Sequence, residues 1–130
     1  MFALDTNTLI YFFQGKGEVA RHLLAQPPQQ ISIPTVVLFE LEVGIRKSSS
    51  PEKRQLQLNQ MLGAVRCLPL DIEVARKAAE IRACLELQGQ PIGPYDVLIA
   101  ATALAHQATL VTHNQREFRK VPRLQLADWF

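Results

Sequence analysis

No apolar run in this 130-residue sequence approaches the roughly 18–20 residues that a membrane-spanning helix needs. The opening Met1-Phe2-Ala3-Leu4-Asp5 carries neither a basic leader nor a small-residue cleavage pattern, so a soluble, cytoplasmic protein without membrane association is expected. Cysteine is scarce. Cys67 and Cys84 are the only two, too few for a disulfide framework and spaced unlike any zinc-ligand pair, and both are read as reduced, small apolar packing residues. An excess of one charge is missing as well: 14 Lys and Arg against 12 Asp and Glu leave +2, which excludes nucleic-acid binding by bulk charge while leaving room for a local cluster.

What the chain has is apolar material. With 48% hydrophobic and 20% charged residues, intrinsic disorder is excluded, and the length suits one domain over residues 1–130. The apolar segments come as short runs separated by helical patterns. Phe2 to Leu4 reads as a strand, followed by the capping cluster Asp5-Thr6-Asn7 and a helix ending at Gly15. A helix from about Glu18 to Ala25 stops before Pro27-Pro28. Ile31 to Ile33 reads as a strand closed by Pro34, with Thr35 capping a helix to about Lys47. Ser50 and Pro51 start the next helix, which runs to about Leu62. Val65 to Leu70 is a third strand, and Asp71 caps a helix to about Gln88 that Gly89 ends. Tyr95 to Gln107 is a helix, Thr109 to Thr112 a fourth strand, and Leu124 to Leu126 a weaker last one. Residues 113–123 read as a long polar, basic connection. Strands alternating with helices predict an α/β fold: a three-layer α/β/α sandwich with a central, mainly parallel sheet of four to five strands.

Three acids sit where acids are costly, embedded in apolar sequence. Asp5 directly follows the first strand, at the strand end where open α/β sheets place ligands, although a plain helix N-cap would also explain it. Glu40 lies in Val36-Val37-Leu38-Phe39-Glu40-Leu41, with no cation three or four residues away, so a largely buried acid without a local partner is expected. Glu42 differs, having Arg46 at i+4, and reads as half of an exposed ion pair. Asp96 opens a second apolar helix, where favourable placement at a helix N-terminus is the competing explanation. Converging carboxylates call for a divalent cation with oxygen ligands, Mg²⁺ or Mn²⁺.

The ordered set Leu4-Asp5-Thr6-Asn7, Glu40-Leu41-x-x-Gly44, Tyr95-Asp96-x-x-Ile99-Ala100 and Val111-Thr112-His113-Asn114-x-x-Glu117-Phe118 resembles the PIN-domain ribonucleases, and within them the VapC-type toxins of toxin–antitoxin pairs. The resemblance spans the chain. It implies a metal-dependent endoribonuclease that leaves 5′-phosphate and 3′-hydroxyl ends, with an RNA substrate and a cognate antitoxin. It further implies that Asp5 and Asp96 bind Mg²⁺ or Mn²⁺ and that Glu40 binds metal or orients water. Many relatives place another acid after the fourth strand, where this chain has Asn114, with Glu117 three residues on; both are second-tier candidates. Thr6 and Thr112 adjoin the acids and can bond carboxylate or phosphate oxygens. Arg116, Arg119, Lys120 and Arg123 form a basic cluster able to meet RNA phosphates, and His113 in the same loop can stack on a base. His22 and His106 read as helix-surface residues. Phe12, Phe13, Leu23 and Leu24 exceed what one helix face buries, so part of them are candidates for a homodimer or antitoxin interface, with core packing the competing explanation for each.

Two other function classes fit parts of the pattern. A non-catalytic α/β interaction module would use the acids as caps and buried structural groups. Haloacid-dehalogenase-like phosphohydrolases also open with an aspartate after the first strand, but want a second aspartate two residues later, where Asn7 stands.

Overall fold

The computed structural model describes residues 1–130. Five strands alternate with seven helices: β1 (Phe2–Leu4), α1 (Thr6–Gln14), α2 (Val19–Leu24), β2 (Ile31–Pro34), α3 (Thr35–Arg46), α4 (Pro51–Ala64), β3 (Arg66–Leu68), α5 (Ile72–Leu87), α6 (Pro94–Ala105), β4 (Thr109–Val111), α7 (Gln115–Phe118) and β5 (Leu126–Ala127). The strands form one sheet in the order β3-β2-β1-β4-β5, parallel at every pairing. β1 and β2 carry the chain outward on one side and β4 and β5 on the other, so the direction of winding reverses between the adjacent β1 and β4. A parallel sheet opens a crevice at such a reversal, beyond the carboxyl ends of its strands. Register fixes the two chain segments that meet there: Leu4 pairs with Val111, and the Asp5 amide donates to the Val111 carbonyl at 3.1 Å.

The core is one cluster that includes Ala3, Leu4, Ile31, Ile33, Leu110 and Val111 from the sheet, all buried. α5 packs along α6, and α3 packs against α1, α4 and α6. α6 presents buried side chains at Val97, Ile99, Ala100, Ala101, Thr102 and Ala103, nearly all round, which is why its sequence shows little amphipathic period.

Several local expectations need correction. Pro34, not Thr35, occupies the N-cap position of α3; Thr35 Oγ1 instead donates to the Leu68 carbonyl at 2.7 Å and ties the helix to β3. Ser50 stands at the N-cap of α4 but its side chain makes no capping bond. β3 is shorter than its apolar run, and as an edge strand it leaves Arg66 and Cys67 exposed, so Cys67 is no packing residue. Residues 113–123 are not all loop: α7 forms there and buries Phe118. β5 begins two residues later than the apolar pattern suggests, aligned by the pairing of Leu110 with Leu126.

Candidate functional site

Asp5 emerges from β1 into the crevice and is only 5% exposed. Its Oδ1 accepts from the Thr8 amide at 2.9 Å, so it does cap α1, as the plain reading allowed. Capping occupies one oxygen and does not offset burial. Desolvation pushes its carboxyl above the usual range, the negative charge of Asp128 adds to this, and hydrogen bonds from Thr112 and Thr8 partly oppose it.

Glu40 projects from the middle of α3 and is half-buried rather than fully buried; Thr6 Oγ1 donates to its Oε1 at 2.7 Å. Asp96 sits in the first turn of α6, and its carboxyl is pushed up to about 6 by burial first and then by the charges of Glu40, Asp5 and Glu117. None of Asp5, Glu40 and Asp96 forms an ion pair. Asp96 thus feels the charges of Glu40, Asp5 and Glu117 beside a cavity lined by no cation.

The three acids line a single cavity of about 100 Å³ together with Thr6, Asn7 and Asn114, floored by Ile99 and Phe118. At roughly 30 Å³ per water, that volume holds an ion with a few waters. As they stand, no three of the acids are gathered into a ready-made ligand cage. A hard divalent cation that keeps several waters and takes one or two carboxylates matches such an open, all-oxygen donor set. The residues present therefore fit a hard divalent cation.

The second tier divides. Asn114 lines the cavity, and its backbone N–H donates to Thr112 Oγ1 at 3.0 Å, which shapes the turn after β4. Glu117 stands outside the cavity wall. Both its carboxylate oxygens accept from Lys120 Nζ at 3.3 Å, while its charge still reaches Asp96. Of the basic cluster, Arg116, Arg119 and Arg123 are exposed and unpaired, and Lys120 is half-buried on Glu117. His113 is already engaged: its Nδ1 meets the Asp128 carboxylate at 3.0 Å, and its ring stacks on Phe130 at 4.4 Å. His22 stacks on Trp129 rather than standing free, and His106 Nδ1 lies 3.0 Å from the Thr102 carbonyl. Glu42 does not pair with Arg46 but accepts from Gln55 Nε2 at 3.0 Å, bracing α3 against α4.

Asp128 is the residue that sequence reasoning passed over. It raises the Asp5 carboxyl and fixes His113. Its signal was positional: it follows β5, which pairs with β4, and so emerges at the same strand edge as Thr112 and His113.

Away from the acids, Phe12, Phe13, Leu23 and Leu24 do border a groove, of about 560 Å³, whose far wall is Met61 and Val65 on and just beyond α4. Leu23 belongs to the core, whereas Leu24 is 74% exposed.

Known proteins share this fold. The PIN domain family model matches residues 2–124. The chain is 34% identical over 128 residues to the tRNA(fMet)-specific endonuclease VapC of Salmonella typhimurium, covering 98% of this chain and 97% of that protein. It is 35% identical over 132 residues to Ribonuclease VapC2 of Rickettsia felis, covering 99% and 98%. Its structure superposes on the solved DNA-bound VapBC of Salmonella typhimurium with a TM-score of 0.92 at 34% identity, covering 99% of this chain and 98% of that one. A five-stranded parallel sheet carrying acids at its winding reversal, matched along its whole length by these proteins, belongs to the PIN-domain family and to its VapC ribonuclease branch.

Proposed function

We propose that this protein, as a single domain, is the Mg²⁺- or Mn²⁺-dependent toxin of a toxin–antitoxin pair, acting in the cytoplasm and hydrolysing internal phosphodiester bonds of RNA. The observation that carries the reading is the convergence of Asp5, Glu40 and Asp96 on one cavity without a counter-charge. A divalent cation held there by Asp5 and Asp96 would supply a water of lowered pKa and would offset charge that grows on the phosphate.

The chain's own residues do the rest. Asp5 and Asp96 hold the cation, Asp5 being fixed in direction by its bond to the Thr8 amide. Thr6 keeps Glu40 turned toward the same cavity, where its second oxygen is free to orient the attacking water. In-line attack on phosphorus then expels the 3′ oxygen, leaving 5′-phosphate and 3′-hydroxyl ends. Asn114 contributes a neutral amide oxygen beside the acids, and Thr112 shares its hydroxyl between Asp5 and the Asn114 amide. Arg116, Arg119 and Arg123 are free to meet phosphates along the RNA.

For partners, VapBC assemblies are toxin–antitoxin systems. The apolar groove of Phe12, Leu24, Met61 and Val65 suits the apolar face of an antitoxin helix. Exposed Phe39, Val43 and Tyr95 offer a separate apolar patch for a homodimer. The reading is tested by incubating purified protein with tRNA and with single-stranded RNA in Mg²⁺ or Mn²⁺ and sequencing the ends. A tRNA is included because the Salmonella relative is a tRNA(fMet)-specific endonuclease.

A further inference from the structure

A second cavity, of about 280 Å³, opens beside the acids, and Glu40 is common to both. Its walls come from three helices at spacings that put side chains on one face: Ile10, Phe13 and Gln14 of α1, Leu41 and Gly44 of α3, and Arg54 and Leu58 of α4. Phe13 separates it from the larger apolar groove. The volume is just below the roughly 300–1,000 Å³ of pockets for drug-sized ligands, the size for one flat ring system rather than a helix.

Two residues mark it as a binding slot. Gly44 lies inside α3, where glycine is a poor helix former, and its backbone is ordinary helix. A Cβ added there would meet nothing within 4 Å, so neither packing nor conformation calls for glycine. What the missing side chain does is keep the slot open. Arg54 is half-buried, forms no ion pair, and is anchored through Nη1 alone, to the Phe13 carbonyl at 3.5 Å and Gln57 Oε1 at 3.1 Å. The rest of its donor fork faces no acceptor of the chain.

We propose that this slot receives an unpaired purine base of the RNA, next to the scissile phosphate, with Arg54 reading its edge. The proposal rests on the ribonuclease reading above. Because Glu40 lines both cavities, an occupant of the slot adjoins a phosphate held at Asp5 and Asp96. Aromatic and aliphatic walls with one guanidinium are the surroundings in which single-stranded bases are held, stacked and hydrogen-bonded at once. A guanidinium fork matches two acceptors side by side, the O6 and N7 of guanine, so guanine is the preferred base.

The test uses a short single-stranded RNA whose cut is mapped with the wild-type protein in Mn²⁺, with an abasic nucleotide walked through the positions flanking that cut. Wild-type kcat/KM falls about tenfold when the base is removed at one particular flanking position, in line with the value of a held base. Arg54→Gln and Gly44→Leu each lower kcat/KM on the intact RNA by about tenfold and show no further loss on that abasic RNA. Both variants keep wild-type Mn²⁺ affinity and melt at or above the wild-type temperature, Gly44→Leu gaining from the better helix former, which separates slot filling from unfolding. Losses that multiply, a wild-type rate indifferent to every flanking base, or variants cutting intact RNA at the wild-type rate would overturn the proposal. Variants with unchanged cleavage that instead lose affinity for the antitoxin assign the slot to that partner and also overturn it. A wild-type protein that leaves all RNA uncut in Mn²⁺ would show up differently, by removing the ribonuclease reading together with the slot.

Discussion

The hydroxyl of Thr6 donates to Oε1 of Glu40 at 2.7 Å across 34 residues of sequence, joining the first turn of α1 to the middle of α3. Glu40 gains from this bond the partner its own helix does not provide, and its direction is set by the residue next to Asp5. A hydrogen bond to a charged group contributes about 1.5–3 kcal/mol, with the lower end suited to this half-exposed site. Thr6→Val should therefore lower kcat/KM about tenfold, and Thr6→Ser should recover most of it. Equal cleavage by Thr6→Val and wild type would show that Glu40 needs no such anchor.

Glu40 and Glu42 should separate cleanly. Glu40→Gln removes a site charge and should cost orders of magnitude in cleavage, with stability held or raised as repulsion on Asp96 eases. Glu42→Ala removes the bond from Gln55 and should cost about 0.5–1 kcal/mol in denaturant titration, with cleavage unchanged. A large activity loss at Glu42 would place that residue in the site.

The raised Asp96 carboxyl gives the metal-free protein a pH signature. Its folded value of about 6 stands above the ordinary 3.8, so between those values the folded state holds more protons than the unfolded one. The stabilisation is complete below about pH 4 and is lost as pH rises through 6. The metal-free melting temperature should thus fall from about pH 4 to pH 7 through this group, and Asp96→Asn should flatten that slope. Metal binding needs the ionised acid, so Mn²⁺ affinity should weaken as pH drops below about 6. Calorimetry at pH 5 and pH 7 that finds equal affinity would contradict the assignment of Asp96 as a ligand.

Asn114 lies in the cavity wall as a neutral donor, while Glu117 is held by Lys120 outside it. Asn114→Asp should lower the Mg²⁺ concentration for half-maximal cleavage by adding a charged oxygen. Glu117→Gln acts only through the field at Asp96 and should shift that concentration much less. A metal-response curve moved more by Glu117→Gln than by Asn114→Asp would mean that Glu117 leaves Lys120 to join the ion.

Most of the architecture was legible because the strands are short, mainly apolar segments set off by capping residues or prolines, as at Phe2 to Leu4 before Asp5 and Ile31 to Ile33 before Pro34. The boundaries that failed depend on neighbours. β3 is cut short by being at the sheet edge, and β5 is placed by its pairing with Leu110 rather than by its own sequence. Asp5, Glu40 and Asp96 could be picked out because an acid in an apolar helix or at a strand end violates a local rule. Glu42 could not be assigned its partner, since Gln55 lies on another helix and the i+4 rule points to Arg46. Asp128 and the engaged state of His113 depend on where the last strand ends, which no local pattern fixes.

The most direct measurement is end-sequencing of RNA incubated with the purified wild-type protein and with Asp96→Asn, each with Mn²⁺ or with EDTA. Internal cuts bearing 5′-phosphates are expected for the wild type in Mn²⁺ and none in EDTA. The variant should leave RNA whole in either condition while melting at or above the wild-type temperature without metal. Cleavage that persists in EDTA, or near wild-type cleavage by Asp96→Asn in Mn²⁺, would contradict it.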